Sequence, residues 1–318
     1  MDHSIAIPAL VAFFITLILG PGLISFLHKL KFGQFIREEG PESHLKKSGT
    51  PTMGGILFLV WNLSQDVLFY IPDYKRIIPV LFVTLGFGLI GFLDDYIKVV
   101  MKRNLGLTPA QKMLGQIVIT AVFAFYMVNH SGLGTDVILP FSGGKEWHLG
   151  ILYIPVLFVV VLGTVNGANF TDGLDGLAAS VTTLIAVFLT VIAVGTNAGI
   201  HPVICAVIGA LLGFLCFNTH PAKVFMGDTG SLALGGFVVS TAYMLKIPLF
   251  IPIVAFIYFI EVLSVIIQVT YYKKTKKRIF KMAPIHHHFE LSGWPETKVV
   301  SIFSIVTAVL CLIGMLAY

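Results

Sequence analysis

The sequence predicts an all-α integral membrane protein of about ten transmembrane helices, and three observations carry that prediction. Only 12% of its 318 residues are Asp, Glu, Lys or Arg, about half of the roughly 25% that covers a soluble globular surface. Apolar residues make up 56% and mean hydropathy is +0.90. These residues gather into ten runs, at 4–27, 53–71, 77–97, 113–129, 150–166, 174–194, 201–217, 231–246, 248–270 and 298–317, each near the ~20 residues that a helix needs to cross the hydrocarbon layer. A soluble domain, disorder, coiled coil and collagen are excluded by the same composition. With no internal repeat or low-complexity tract, residues 1–318 read as one polytopic membrane domain.

The first run opens Met1-Asp2-His3 and continues apolar past Leu19, without the positive start of a signal peptide, so it reads as a retained span. If the N-terminus is outside, 17 of the 21 Lys and Arg residues fall in or beside the inward loops 28–52, 98–112, 167–173, 218–230 and 271–297. Only Lys75, Arg76, Lys145 and Lys246 fall on the other side. The excess of basic residues in cytoplasmic loops then sets both termini outside. That topology accounts for the net charge of +5 without any nucleic acid. The outer segment from Asn129 to Gly150, with Gly132, Gly134, Pro140, Gly143 and Gly144, reads as turns around a short hairpin. Cys205, Cys216 and Cys311 are widely spaced within apolar runs and form no ligand pattern.

Ionisable groups beside spans cost a few kcal/mol each, so those retained are candidates for function. The third run ends Asp94-Asp95-Tyr96-Ile97-Lys98, ~26 Å along the helix from Ile77 and thus at the inner interface. Charges also mark helix exits, but an exit needs one carboxylate. Two side by side point to a catalytic base or a bound cation, with Lys98 on the same side of the helix. After the fifth run, Asn166, Asn169, Asp172 and Asp175 recur every three residues among glycines, more than the capping of one helix requires. After the seventh comes Asn218-Thr219-His220-Pro221-Ala222-Lys223-Val224-Phe225-Met226-Gly227-Asp228. There a helix start suits phosphate, a carboxylate suits Mg²⁺, and Phe225 either packs at the interface or stacks on a planar base.

The last inward loop runs from Lys273 through Lys281 to His286-His287-His288-Phe289-Glu290. Adjacent side chains diverge, so three histidines in a row suit phosphate donors better than one zinc ion. The loop before the second run, Lys46-Lys47-Ser48-Gly49-Thr50-Pro51-Thr52, pairs cations and hydroxyls in the same way. Glu261 lies inside the ninth run with no obvious partner in sequence. It reads equally as a buried structural group or as part of the site. All five polar clusters face one side of one membrane. Carboxylates for a divalent cation, cations for phosphate and carboxamides for sugar or base are the apparatus of phosphoryl transfer, and a site at the interface implies a lipid substrate.

Five stretches carry a resemblance: KKSGTPTMGG at 46–55, DDYIK at 94–98, NFTDGLDGLA at 169–178, NTHPAKVFMGDTGS at 218–231 and RIFKMAPIHHHFE at 278–290. In order and content the chain closely resembles the phospho-N-acetylmuramoyl-pentapeptide transferases, a branch of the polyprenyl-phosphate N-acetylhexosamine-1-phosphate transferase superfamily. Ser301 departs from the basic residue expected of that branch. The resemblance implies transfer of phospho-MurNAc-pentapeptide from its UDP carrier to undecaprenyl phosphate, giving lipid I and UMP with Mg²⁺, at the bacterial cytoplasmic membrane and in a homodimer. It implies that Asp228 binds the metal and that Asp94 and Asp95 handle the lipid phosphate, Asp94 as base, with Lys98 balancing them. Lys47, Thr52, Asn169, Asp172, Asp175, Asn218 and Phe225 would line the nucleotide and sugar pocket. His286, His287 and His288 would hold phosphate or the sugar side, and Gln268 is a further contact by the same implication.

Two rivals stay open. Transfer of GlcNAc-1-phosphate is the neighbouring activity, against which the histidine run argues. A cation-coupled transporter would place acids near span midpoints and show repeat symmetry, whereas these acids cluster at one interface.

Overall fold

In lipid a chain must satisfy its backbone N–H and C=O groups internally, which turns long apolar runs into helices. A computed structural model of the protein describes residues 3–30, 47, 49–59, 74–101 and 106–318. Its helices are α1 (His3–Lys29), α2 (Tyr74–Val100), α3 (Pro109–Asn129), α4 (Tyr153–Thr171), α5 (Leu177–Gly195), α6 (His201–Asn218), α7 (Gly227–Met244), α8 (Ile251–Val254), α9 (Phe256–Thr275), α10 (Ile285–Glu290) and α11 (Glu296–Ala317). Eight of these described helices, α1 to α6, α9 and α11, are long and apolar enough to cross a membrane. The protein is therefore mostly helical, with the make-up of an integral membrane protein. Of the run 53–71, only the part up to residue 59 is described, with a helical start at 56–59. Residues 60–71, most of the loop 28–52, and residues 102–105 of the loop 98–112 lie outside the described residues.

Two elements differ from the sequence expectation, α4 and the run 248–270. Helix α4 runs on through Thr171, so Asn166 and Asn169 are helical rather than in a loop. Asn166 reaches back to the Leu162 carbonyl and across to Gln116 on α3, which satisfies its amide inside the helix. The eighth run forms α7, whose residues from Thr229 to Met244 are all buried, making it the centre of the bundle. The run 248–270 is not one helix. Pro248 begins a 3-10 turn and Pro252 sits in the first turn of α8, as suits a residue with no N–H to extend a preceding helix. The chain then breaks at Ala255 before α9.

Small residues let α7 approach its neighbours closely, the packing mode expected where lipid supplies no hydrophobic drive. A Cβ on Gly235 would stand 2.6 Å from Val165 Cα on α4, and one on Gly91 of α2 would stand 2.0 Å from the Asp228 carbonyl oxygen. The outer faces carry exposed Ile18, Leu89, Val159, Leu312 and Leu316, an apolar rim suited to lipid. Threonine hydroxyls inside the helices donate to the carbonyl four residues back, as at Thr84, Thr120 and Thr182.

The bundle has two distinct ends. At one, strands β1 (Asp136–Ile138) and β2 (Glu146–His148) pair antiparallel, the hairpin anticipated between Asn129 and Gly150. Its backbone N–H groups at Ile138 and Phe141 donate to the Lys246 and Ala317 carbonyls, which ties it to the ends of α7 and α11. Helix α1 lies parallel to α6, with Ala9 against Gly209 and Thr16 against Gly213, and Ser4 hydrogen-bonds His201 at the hairpin end. Residues His3 and Ala317 therefore share that end. The opposite end gathers the C-termini of α2, α4, α6 and α9 and the N-termini of α3, α5, α7 and α11, and it carries the polar clusters.

Candidate active site

Asp94 and Asp95 occupy the last turns of α2, and Asp228 the first turn of α7. One carboxylate oxygen from each lies within 4.8 Å of the others. Consecutive helical residues point about 100° apart, and the two aspartates accordingly do different things. Asp95 accepts from the Thr229 N–H at 2.9 Å and the Thr229 hydroxyl at 2.7 Å, so it caps the start of α7 from a neighbouring helix. Asp94 accepts the Leu107 N–H at 2.8 Å and meets the Lys98 ammonium at 2.5 Å. Lys98, one turn further along α2, also reaches Asp228 Oδ2 at 2.9 Å.

A second cation completes the cluster. Lys112 on α3 donates to Asp228 Oδ2 at 2.9 Å and to Asn169 Oδ1 at 3.3 Å. Asn169 donates in turn to Asp228 Oδ1 at 2.9 Å and to the Ser231 hydroxyl at 2.8 Å. Three carboxylates thus face two ammonium groups, and the oxygens of Asp228 are the point where the charges meet. The donor set is wholly oxygen and anionic, and it already draws two cations to one carboxylate; both facts fit a hard divalent ion such as Mg²⁺. Asp228, with Asp94 beside it, is where such an ion would be held.

Gly227 places Asp228. Its φ is +74°, and a Cβ there would sit 2.6 Å from Asp95 Oδ2 and 2.8 Å from the Thr52 hydroxyl. The Asp172 carboxyl faces the Gly227 N–H. Thr52 arrives because the segment 51–55 pairs with the loop ahead of α7: Phe225 N–H donates to the Pro51 carbonyl, and the N–H groups of Gly54 and Gly55 donate to the carbonyls of Phe225 and Met226. Phe225 is half-buried in this turn. Burial, reinforced by the negative charges of Asp228 and Asp95, pushes the Asp172 carboxyl well above the usual carboxylate range.

Next to the acidic triad lies a second constellation. Lys47 bridges Asp175 and Glu296, both at 2.7 Å. Glu296 Oε1 also accepts the Asp175 N–H at 2.6 Å, and His220 Nδ1 lies 3.2 Å from Asp175 and 3.3 Å from Glu296. Asn218 is buried and engaged with backbone, accepting from the Gly176 N–H and donating to the Val224 carbonyl. It joins the two loops.

The histidines part company. His286 is buried against Glu261, with Nδ1 3.0 Å from Oε1; His287 pairs with Glu290 at 2.8 Å; His288 accepts the Lys281 N–H at 3.1 Å. The His286 and His287 rings lie 4.1 Å apart, centroid to centroid. Gln268 uses both ends of its amide on Ile279 and Phe280 of the following loop, fixing that loop. The structure therefore joins Asp94, Asp95, Lys98, Asn169, Asp172, Asp228 and Thr52 in one site, and Lys47, Asp175 and Asn218 in its neighbour. Gln268 and His288 stand apart.

Lys112, His220 and Glu296 were missed as site residues in the sequence. Lys112 left a signal: it sits in the first turn of α3, where a cation opposes the helix dipole unless an anion holds it. Glu296 left none, because an acid in a first turn is what a helix start favours.

The model of glycosyl transferase family 4 matches residues 77–246, and phospho-N-acetylmuramoyl-pentapeptide-transferase signature 1 matches residues 47–59. The phospho-N-acetylmuramoyl-pentapeptide-transferase of Clostridium kluyveri is 51% identical over 99% of both chains. That of Clostridium novyi is 52% identical over 97% of this chain and 95% of its own length, and that of Acetivibrio thermocellus 51% over 97% and 93%. With half of its residues shared along its whole length, the chain belongs to the phospho-N-acetylmuramoyl-pentapeptide-transferase family.

Proposed function

We propose that the protein transfers phospho-MurNAc-pentapeptide from UDP-MurNAc-pentapeptide to undecaprenyl phosphate, forming lipid I and releasing UMP in peptidoglycan synthesis. The observation that carries the reading is the convergence of Asp94, Asp95 and Asp228 with Lys98 and Lys112 at one end of a membrane bundle. An oxygen of the lipid phosphate attacks the sugar-bearing phosphorus of the UDP carrier, and the bond to UMP breaks. Asp94 takes the residual proton of the lipid phosphate. Lys98 and Lys112 face the charge that develops on the transferring group and hold Asp228 in place. Mg²⁺, when bound at Asp228, supplies charge neutralisation for the diphosphate. Phe225 stacks on the uracil, Asp172 lines the nucleotide and sugar pocket, and Lys47 with Asp175 orients the nucleotide.

The site end faces the cytoplasm, and both termini lie outside. Lys47, Lys98, Lys112, Lys223, the basic stretch from Lys273 to Lys281, and Lys298 belong to the site end, whereas Lys75, Arg76, Lys145 and Lys246 belong to the hairpin end, the distribution expected of cytoplasmic loops. The enzyme works in the bacterial cytoplasmic membrane as a homodimer. The test is UMP release from purified protein with undecaprenyl phosphate and Mg²⁺, offering UDP-MurNAc-pentapeptide or UDP-GlcNAc, with and without chelator. Release from the muramoyl substrate alone, abolished by chelator and restored by Mg²⁺, is expected; release from UDP-GlcNAc alone, or release unaffected by chelator, would overturn the reading.

A further inference from the structure

One buried polar pair has no part in the chemistry above. Glu261 lies inside α9 with no exposed surface, an expensive place for a carboxylate in a membrane helix. It meets Nδ1 of His286, itself 1% exposed, at 3.0 Å. Each partner keeps one buried polar atom without a hydrogen bond, Glu261 Oε2 and His286 Nε2. A pair selected for stability alone would close such gaps or be replaced by apolar side chains. His286 Nε2 is aimed at the turn that follows α4: a Cβ on Gly173 would stand 2.2 Å from it. Gly173 follows Asp172, the acid facing the Gly227 N–H, and precedes Asp175, the partner of Lys47.

We propose that Glu261 is a positioning residue, acting through His286 on the Asp172–Gly173 turn and so on the amino-sugar side of the nucleotide substrate. Its Oε1 holds Nδ1 of His286 at 3.0 Å. That fixes the ring angle and leaves Nε2 a bare acceptor behind Gly173. Such an atom suits a hydroxyl or amide N–H of the sugar and does not suit a phosphate oxygen. The ring meanwhile forms the wall against which the turn rests. The inference relies on the reading of this end as the transferase site, and the experiment keeps the two separate.

Glu261→Met removes the acceptor while filling the volume, and Glu261→Gln retains an oxygen that can take the Nδ1 proton. With UMP release as the assay, Glu261→Met should raise KM for the UDP-sugar about ten-fold or more, the scale on which a displaced contact is felt. KM for the lipid acceptor should stay within about two-fold, and Glu261→Gln should recover most of the loss. In a His286→Ala background, Glu261→Met should add nothing further, since its effect passes through the ring. Melting in detergent reports folding, and if Glu261→Met does not fold, Glu261→Gln and the His286→Ala background decide. Unchanged KM in Glu261→Met, equal losses in the Met and Gln variants, a matching rise in lipid KM, or full additivity with His286→Ala would each overturn the proposal. Phe225→Ala serves as control: if it too leaves UDP-sugar KM unchanged, the site reading itself fails, whereas a response of Phe225→Ala alone removes only the role of Glu261.

Discussion

Lys112→Met is the substitution whose effect follows most directly from the geometry. The Lys112 ammonium lies 2.9 Å from Asp228 Oδ2, and each side chain is 19% exposed. At that distance two unit charges attract by about 6 kcal/mol at an effective dielectric of about 20. Only part of this is lost, because Lys98 reaches the same oxygen at 2.9 Å and both side chains keep some exposure to solvent. Removing one partner of a close, partly buried pair costs about 2 to 4 kcal/mol, which in a transition state amounts to about 30- to 1,000-fold in kcat/KM. Because Lys112 also holds Asn169, the loss should appear in kcat and in the Mg²⁺ concentration needed for half-maximal rate. Steady-state UMP release across a Mg²⁺ series measures both, with Lys112→Arg expected to recover part of the rate. A loss of less than about three-fold in folded protein would refute the electrostatic argument.

Asp228→Asn should abolish turnover at every practical Mg²⁺ level, since the amide removes an anionic ligand and the charge that Lys98 and Lys112 share; near-normal UMP release would put the cation elsewhere. Phe225→Ala should weaken UDP-sugar binding by about 1 to 3 kcal/mol, the magnitude of base stacking on an aromatic ring, with a smaller effect on the lipid acceptor; equal effects in titrations of both substrates would mean ordinary packing. For Asp172 the sign follows from its raised value. The folded protein holds the proton more tightly than the unfolded chain, so the contribution to stability is complete below the ordinary carboxylate value of 3.8 and is lost as pH rises toward the folded value. Asp172→Asn, which cannot ionise, should melt in detergent with a shallower decline as pH rises above 3.8, and identical slopes would contradict the assignment.

Much of the site was legible because its residues are costly where they stand. Asp94, Asp95, Asp172, Asp175 and Asp228 break apolar runs or crowd among glycines, and nothing about helix capping needs so many acids. Partnership was less visible. Asp94 and Asp95 read as a matched pair, yet helix geometry turns one to the Leu107 turn and the other to the start of α7. Asn218 and Gln268 also hydrogen-bond backbone over separations of 42 and 12 residues, which no local pattern reveals. Lys112 read as a topological charge. The start of α3 at Pro109 was written in Thr108 and Gln111, a capping box with both bonds formed, although hydropathy alone began that run at 113. The break at Ala255 was foreshadowed by Pro248 and Pro252, whose meaning hydropathy also ignores.

The central claim is that these carboxylates act on the lipid phosphate, and a pH series on Asp94→Asn tests it most directly. A phosphate monoester carries its second proton up to a pKa near 6, so a base has only that proton to remove. If Asp94 is the base, Asp94→Asn loses most of its rate at pH 6 and regains part of it at pH 9, where the acceptor is already a dianion. Asp95→Asn, altered at the cap of α7, should show a loss that pH does not restore. Recovery with pH in Asp94→Asn alone is the predicted result. Failure to recover at any pH would make Asp94 a nucleophile rather than a base, and full activity of both variants at pH 6 would contradict the site altogether.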